Sequence, residues 1–362
     1  MLASDLDFFL PPELIAQTPV LPRDSARLLH VRCSPATSAH HIVRDLAHLL
    51  RSDDLLVFND TRVLHARLHG HKVGSGGRVE ALLLRELQPN LWQALLKPSA
   101  RLRTGMEIEF ASPRQPEPVR ARLEQRKSDS WWIRFLGEEN VRALLPALGE
   151  LPLPPYIHAD LADENHYQTI FARHDTPATP AGALDSAAAP TAGLHFTPEL
   201  MERLRRQGVA TAFVTLGVGV GTFRPIKTET LEAHVMHEEE FIVPDATARA
   251  IAEQHKLGGR VVAVGTTTTR VLESAALGNG EVRAGYGKTS LFIRPGYRFQ
   301  CVDALITNFH LPRSTLLAMV AAFIEHGNGD ARSGMPRLLE CYVEAVSRGY
   351  RFFSFGDAML IE

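Results

Sequence analysis

The residues best suited to chemistry fall into four short clusters. They are His195 in AGLHF, His234 with His237 and Glu239 in HVMHEEE, Thr266 to Arg270 in GTTTTR, and Asn308 with His310 in TNFHLP. Imidazoles titrate near neutrality and can exchange protons at working pH. Two imidazoles and a carboxylate are also a zinc donor set. The H-x-x-H-x-E spacing departs from the H-E-x-x-H helix motif, so acid–base work or RNA contact is the expectation and no metal is assigned. A histidine held by the core is the ordinary alternative for each. The threonine run opens a helix after an apolar strand. Its N–H groups and hydroxyls suit a phosphate or carboxylate, and a plain helix cap is the alternative. Arg270 and Glu273, three apart, could form a simple surface pair. Asn308 and His310 bracket Phe309, an arrangement that could stack a base, unless Phe309 is core.

These clusters must be positioned by elements around 190–224, which read as turn, helix, strand and turn. Pro190 to Phe196 is a small-residue turn carrying His195. Thr197 caps a helix with Pro198 at its first position, and Gly208 ends it. Val209 to Leu216 is a strand rich in β-branched and aromatic residues. It runs into Gly217-Val218-Gly219-Val220-Gly221-Thr222. A glycine-dense turn at the carboxyl end of a buried strand is where open α/β sheets take ligands. A dinucleotide fingerprint does not fit, because it needs a helix starting at the last glycine, and Pro225 forbids one.

Elsewhere, strands are expected at Leu28–Arg32, Asp54–Phe58, Arg260–Val264, Thr289–Ile293, Ala304–Thr307 and Phe352–Phe355. Helices are expected at His166–Arg173, Asp245–Lys256, Gly265 to about Leu277, Thr315–His326 and Pro336–Arg348. This alternation predicts an α/β fold, a mostly parallel sheet with helices on both faces. From Val63 the texture changes to successive short strands without helices, which predicts an inserted antiparallel β-barrel. The expected division is an α/β domain made of 1–62 and 151–362, with a barrel domain at 63–150. The segment Arg62 to Lys127 holds 13 Lys and Arg against 6 Glu and no Asp, in a chain whose net charge is −2. Such segregation suits a polyanion. The Ala/Pro-rich stretch 174–189 has little to bury and is expected to be a mobile loop, a lid beside His195.

The three cysteines are scattered, which fits a reducing compartment without disulfides. No signal peptide and no run of membrane-spanning length is evident. A cytoplasmic, monomeric protein with no membrane contact and no obligate protein partner is the expectation.

Many segments, in order and nearly end to end, resemble the S-adenosylmethionine:tRNA ribosyltransferase-isomerases of queuosine biosynthesis. They include DLLVFNDTRV (54–63), LPLPPYI (151–157), APTAGLHF (189–196), FVTLGVGVGTFRP (213–225), HVMHEEEF (234–241), VVAVGTTTTRVLES (261–274), ALITNFHLPRSTL (304–316) and RFFSFGDAMLI (351–361). The resemblance implies transfer and isomerisation of the ribosyl group of S-adenosylmethionine. The acceptor is 7-aminomethyl-7-deazaguanine at the wobble position of a tRNA with a GUN-type anticodon. S-adenosylmethionine is then a substrate, and no cofactor is expected. His195, His237 and His310 become the acid–base candidates, with Glu239 as orienter. The substrate-binding candidates are Asn59, Asp60, Arg62, Thr191, Gly193, Gly219, Gly221, Thr222, Phe223, His234, Thr266, Thr267, Arg270, Glu273, Asn308 and Phe309. Gly219 to Thr222 would lie against the adenosyl part, and Thr266, Thr267 and Arg270 would take the methionine carboxylate or a tRNA phosphate. Arg67, Lys97, Arg101 and Arg103 are the RNA-binding candidates. The sequence departs from the family at Gly217, where a histidine is common, and in a 174–189 loop longer than usual. A tRNA-binding module without catalysis and a metal-dependent hydrolase are the rival functions.

Overall fold

The computed structural model describes residues 1–127, 129–159, 161–173, 184, 186–217, 226, 228–330 and 333–362. In chain order the strands are β1 (Arg27–Arg32), β2 (Thr37–Ile42), β3 (Asp54–Asn59), β4 (Arg67–Lys72), β5 (Arg78–Gln88), β6 (Leu91–Lys97), β7 (Glu107–Ser112), β8 (Gln115–Arg126) and β9 (Trp131–Phe135). They continue with β10 (Ala210–Leu216), β11 (Glu239–Val243), β12 (Arg260–Val264), β13 (Gly285–Thr289), β14 (Ala304–Asn308) and β15 (Ala358–Ile361). The α-helices are α1 (Leu46–Leu49), α2 (Val141–Leu148), α3 (Pro198–Arg206), α4 (Asp245–Lys256), α5 (Thr266–Ala275), α6 (Thr315–Asn328) and α7 (Gly334–Ser347).

Nine strands form one sheet in the order β13-β11-β10-β3-β12-β14-β15-β1-β2. Its centre, β10-β3-β12-β14, is parallel. The β15–β1 pair is also parallel, while β14–β15, β1–β2 and the β13-β11-β10 flank are antiparallel. The β3 residues Asp54 to Asn59 are all buried, as a strand covered on both faces must be. Alternation sorts them. Leu55 and Val57 enter one core with Val261, Ala263 and the apolar faces of α4 to α7. Leu56 and Phe58 enter the other with Val262, Val264, α1 and α3. Helices therefore cover both faces. Thr197 caps α3 by accepting from Leu200 N at 3.2 Å, and Gly208 follows with φ 89°.

The six strands β4 to β9 close an antiparallel barrel in the order β4-β5-β6-β9-β8-β7. It has its own core, including Leu68, Trp92, Phe110, Ile133 and residues of α2. Closure needs Gly70, because a Cβ there would come within 2.6 Å of Glu109 O on β7.

Several elements differ from expectation. Residues 63–66 are not barrel strand, since Val63 bridges Ser186 and β4 begins at Arg67. The expected helix at 166–173 is one 3₁₀ turn, Glu164–Tyr167. The strand expected at 289–293 lies earlier, as β13. The strand expected at 352–355 is a turn with Phe353 at φ 70°, and the last strand is β15. The strands β2 and β11 were not anticipated. The former is a largely exposed edge and the latter a five-residue piece at the flank, so neither carries a strong apolar pattern. The proposed lid falls mostly outside the described residues. No helix among the described residues is long and apolar enough to cross a membrane.

Candidate active site

A cavity opens at the carboxyl ends of β12 and β14. Its wall includes Thr191, Gly265, Thr266, Thr267, Thr307, Asn308, Phe309, His310, Phe353, Ser354 and Tyr156. The cavity and its open mouth together hold about 730 Å³ of empty space.

Gly265 sets the first wall. It follows β12 with φ 94° and ψ 153°, a conformation open essentially to glycine, and it turns the chain into α5. The threonine run then divides. Thr268 and Thr269 return their hydroxyls to Val264 O and Gly265 O at 2.8 and 3.1 Å. Thr266 and Thr267, with the helix start, face the cavity.

Asn308, at the end of β14, sets the second wall. Its Nδ2 donates to Phe353 O at 3.1 Å and to His195 Nε2 at 3.2 Å, and its Oδ1 accepts from Thr191 Oγ1 at 3.2 Å. A carbonyl only accepts, so the Phe353 bond fixes which way the amide faces. His195 Nε2 must then be an acceptor, which makes His195 a neutral imidazole carrying its proton on Nδ1. Burial pushes the His195 pKa down to about 4, which holds the same state. The His195 side chain lies behind Asn308, in a small cleft lined by Val20, Arg23 and Phe355.

His310 does face the cavity. Burial pushes its pKa down to about 3, so it too is neutral. Its Nε2 lies 2.9 Å from Thr307 Oγ1, and its backbone N–H donates to Tyr342 OH. The Phe309 ring packs among Tyr342, Tyr350 and Phe352 at 5.1 to 5.5 Å, a core placement rather than a base platform. Phe353, whose left-handed φ is unusual for a bulky residue, ties this turn back to Phe309 O and packs at a tilt against Tyr156, ring centroids 4.7 Å apart. Tyr156 OH lies 2.7 Å from Ser354 Oγ. Neither Tyr156 nor the 353–354 turn was singled out from sequence. The PPY of LPLPPYI was the only signal for Tyr156.

The remaining candidates among the described residues do not line this cavity. Asn59 clips β3 to β10 and α5: Oδ1 accepts from Leu216 N and Thr61 N, and Nδ2 reaches Leu216 O and Thr267 Oγ1. Asp60, whose pKa is raised by burial, accepts from Thr215 Oγ1 at 2.6 Å and lies 3.5 Å from Arg173. Arg62 is half-buried, and its carbonyl accepts from Ser186 N. Gly193 makes room for Phe171 and Thr169, which a Cβ would meet at 2.8 and 3.1 Å. Arg270 and Glu273 are not a surface pair, because both are buried and bonded elsewhere. Glu273 accepts from Gln300 N, Cys301 N, Val302 N and Tyr297 OH, so it holds a loop. Arg270 forms a buried ion pair with Glu239 and donates to Leu291 O, and its Nη2 has no acceptor among the described residues. His237 is exposed, and the half-buried His234 lies edge-on to Phe292 with its pKa lowered by burial and then by His237. Three imidazoles therefore do not share one pocket, and only His310 lines it. No three His, Cys, Asp or Glu among the described residues are arranged to hold a metal. Gly219, Gly221, Thr222 and Phe223 lie outside the described residues. Gly217 directly follows β10 and donates its N–H to Glu240 O at 3.1 Å.

A family model for queuosine biosynthesis proteins matches residues 3–361. The chain belongs to that family. A relative from Pelotomaculum thermopropionicum is 48% identical over 358 residues, covering 99% of each chain, and one from Caldanaerobacter subterraneus subsp. tengcongensis is 45% identical over the whole of both. Both are named S-adenosylmethionine:tRNA ribosyltransferase-isomerase. A crystal structure of S-adenosylmethionine tRNA ribosyltransferase from Thermotoga maritima is 37% identical, covers 99% of this chain and 100% of its own, and superposes with a TM-score of 0.55. The α/β sheet with an antiparallel barrel is thus a family architecture.

Proposed function

We propose that this family member transfers and isomerises the ribosyl group of S-adenosylmethionine onto 7-aminomethyl-7-deazaguanine at the tRNA wobble position, giving epoxyqueuosine and releasing adenine and methionine. S-adenosylmethionine is the ribosyl donor, and the tRNA carries a GUN-type anticodon. The observation that carries this reading is the cavity at the carboxyl ends of β12 and β14, in a chain matched end to end by relatives of that name.

The positive sulfur acidifies the ribose methylene beside it, and a base that takes this proton starts the rearrangement. The departing adenine must in turn gain a proton, and the acceptor amine must be neutral to attack. His310 is the imidazole on the cavity wall. With Nε2 held by Thr307, its Nδ1 is the nitrogen that reaches substrate. Thr266 and Thr267 at the start of α5 receive the methionine carboxylate. His195 serves by fixing Asn308.

The test is an incubation of the purified protein with S-adenosylmethionine and tRNA bearing the deazaguanine precursor, with nucleosides read by mass spectrometry. Epoxyqueuosine with matching adenine release is the expected result. Tight tRNA binding without adenine release from folded protein would make it a binding module and overturn the reading. A chelator-treated sample separates a metal-dependent hydrolase, whose turnover would vanish.

A further inference from the structure

The cations of the barrel are matched by carboxylates at one end and unmatched at the other. Its strands run alternately up and down. One end therefore carries the turns after β5, β7 and β9, and the other carries loops 73–77, 98–106 and 127–130. The first end meets the α/β sheet: Arg85 pairs with Glu240, Arg114 with Glu164, and Arg67 donates to Leu153 O at 3.2 Å. Along the wall, Arg120 pairs with Glu109, Arg122 with Glu107 and Arg134 with Glu124.

The far end differs. Lys72 and Arg78 flank its first loop. Lys97, Arg101 and Arg103 lie in or beside the second, all exposed. Arg126 and Lys127 open the third. None of these cations forms an ion pair with a carboxylate among the described residues, because the nearby ones are already engaged. Glu80 sits 3.9 Å from Arg67, Glu107 and Glu124 hold their wall arginines, and Asp129 in the third loop has a partner of its own. Just below this rim, β9 alternates buried Trp131 and Ile133 with the half-exposed Trp132. Gln93 and Gln125 are the cross-strand neighbours of Trp132, and the Lys127 ammonium lies 4.1 Å from its ring centroid.

We propose that this far rim is the surface on which the RNA partner docks, with its cations on phosphates and Trp132 against a base. The proposal rests on the reading that the chain acts on tRNA. A cation already neutralised by a carboxylate releases few counterions when it meets a phosphate, whereas an unmatched one releases its share. An aromatic ring flanked by carboxamides and cations suits base stacking. A six-residue strand spans about 20 Å, so the rim holds RNA well beyond the reacting nucleotide.

The test compares binding of a tRNA transcript by the full-length protein and its variants, between about 50 and 200 mM salt. The combination Lys97→Gln, Arg101→Gln and Arg103→Gln should weaken binding at least tenfold and lower the salt slope by roughly 2 to 3, at about 0.9 per phosphate contact. Arg126→Gln with Lys127→Gln should act in the same direction. The wall pair Arg120→Gln with Arg122→Gln should change neither. Trp132→Ala should weaken tRNA about tenfold with an unchanged slope and leave binding of heparin, a polyanion without bases, as it was. Wild-type affinity and slope in both rim variants, or an equal loss in the wall variant, overturns the rim while leaving the tRNA reading intact. Equal loss of heparin binding in Trp132→Ala overturns the base contact. A wild-type protein with no affinity for tRNA removes the reading and the rim together.

Discussion

Asn308 has a single hydrogen-bonding solution in this fold, and it decides what His195 can do. The amide hydrogens face Phe353 O and His195 Nε2, and the oxygen faces Thr191. His195 is thereby an acceptor aimed at a protein group rather than at the cavity. Glutamine at 195 could still accept from Asn308 through its amide oxygen. His195→Gln should therefore keep most of the turnover and leave its pH profile in place. His195→Leu should strand a buried N–H, lowering stability by about 1–3 kcal/mol and turnover with it. Steady-state rates from pH 6 to 9 with a urea unfolding curve for each variant measure both. A Gln variant that is folded and inactive would restore His195 to acid–base chemistry. His310→Gln, at the cavity wall, is expected to abolish adenine release with the fold intact.

At the scale of elements, α5 is the part on which the site most depends, and Gly265 is where it can be broken. Space is not the obstacle, because a Cβ there would sit 3.5 Å from Ala192 Cβ, an ordinary contact. The obstacle is φ 94° with ψ 153°. Gly265→Ala should cost about 1–3 kcal/mol in denaturant unfolding and raise the KM for S-adenosylmethionine, since the helix start would tilt. Wild-type stability and KM would show that the turn relaxes freely. The sequence showed this element well: an apolar strand, one glycine and a threonine run place α5 within two residues. Strong local signals also gave β3, β12, β14, α3, α4, α6 and the barrel. Those that were missed or misplaced lack such signals. The strand β2 is a half-wet edge, and the 353–354 turn was hidden by the strand-like run Phe352-Phe353, whose φ reversal is imposed by bonds to Asn308 and Phe309. Membership of the cavity was partly legible, since Thr191, Thr266, Thr267, Asn308 and His310 converge there. Asn59 ends β3 beside the site and Glu273 lies on α5, yet both bind chiefly backbone groups elsewhere, and only tertiary contacts reveal that.

The whole molecule carries its neutral imidazoles as an acid liability. The unfolded chain binds protons at His195 and His310 below about pH 6.5, while the folded chain refuses them until about 4 and 3. Between those limits the unfolded state holds more protons, so unfolding free energy must fall as pH falls. At pH 5 the cost is about 2 kcal/mol for each group, or about 4 for the pair. His234, also shifted down by burial, adds to the same slope. His255 opposes it, since its bond to Asp303 raises its pKa and stabilises the protonated form. Carboxylates held low by partners, such as Glu362 at about 2 beside His30 and Arg260, contribute only below about pH 4.5, whereas Asp60 and Glu273, raised by burial, take up protons more readily in the folded state and oppose the histidine loss. Urea unfolding at pH 7.5 and 5.0 should therefore show a loss of a few kcal/mol in the wild type. In His195→Gln the loss should shrink by about 2 kcal/mol, because one of the two neutral sites is gone. An unchanged loss in that variant would mean that His195 is protonated in the fold, and the acceptor role assigned through Asn308 would then fail as well.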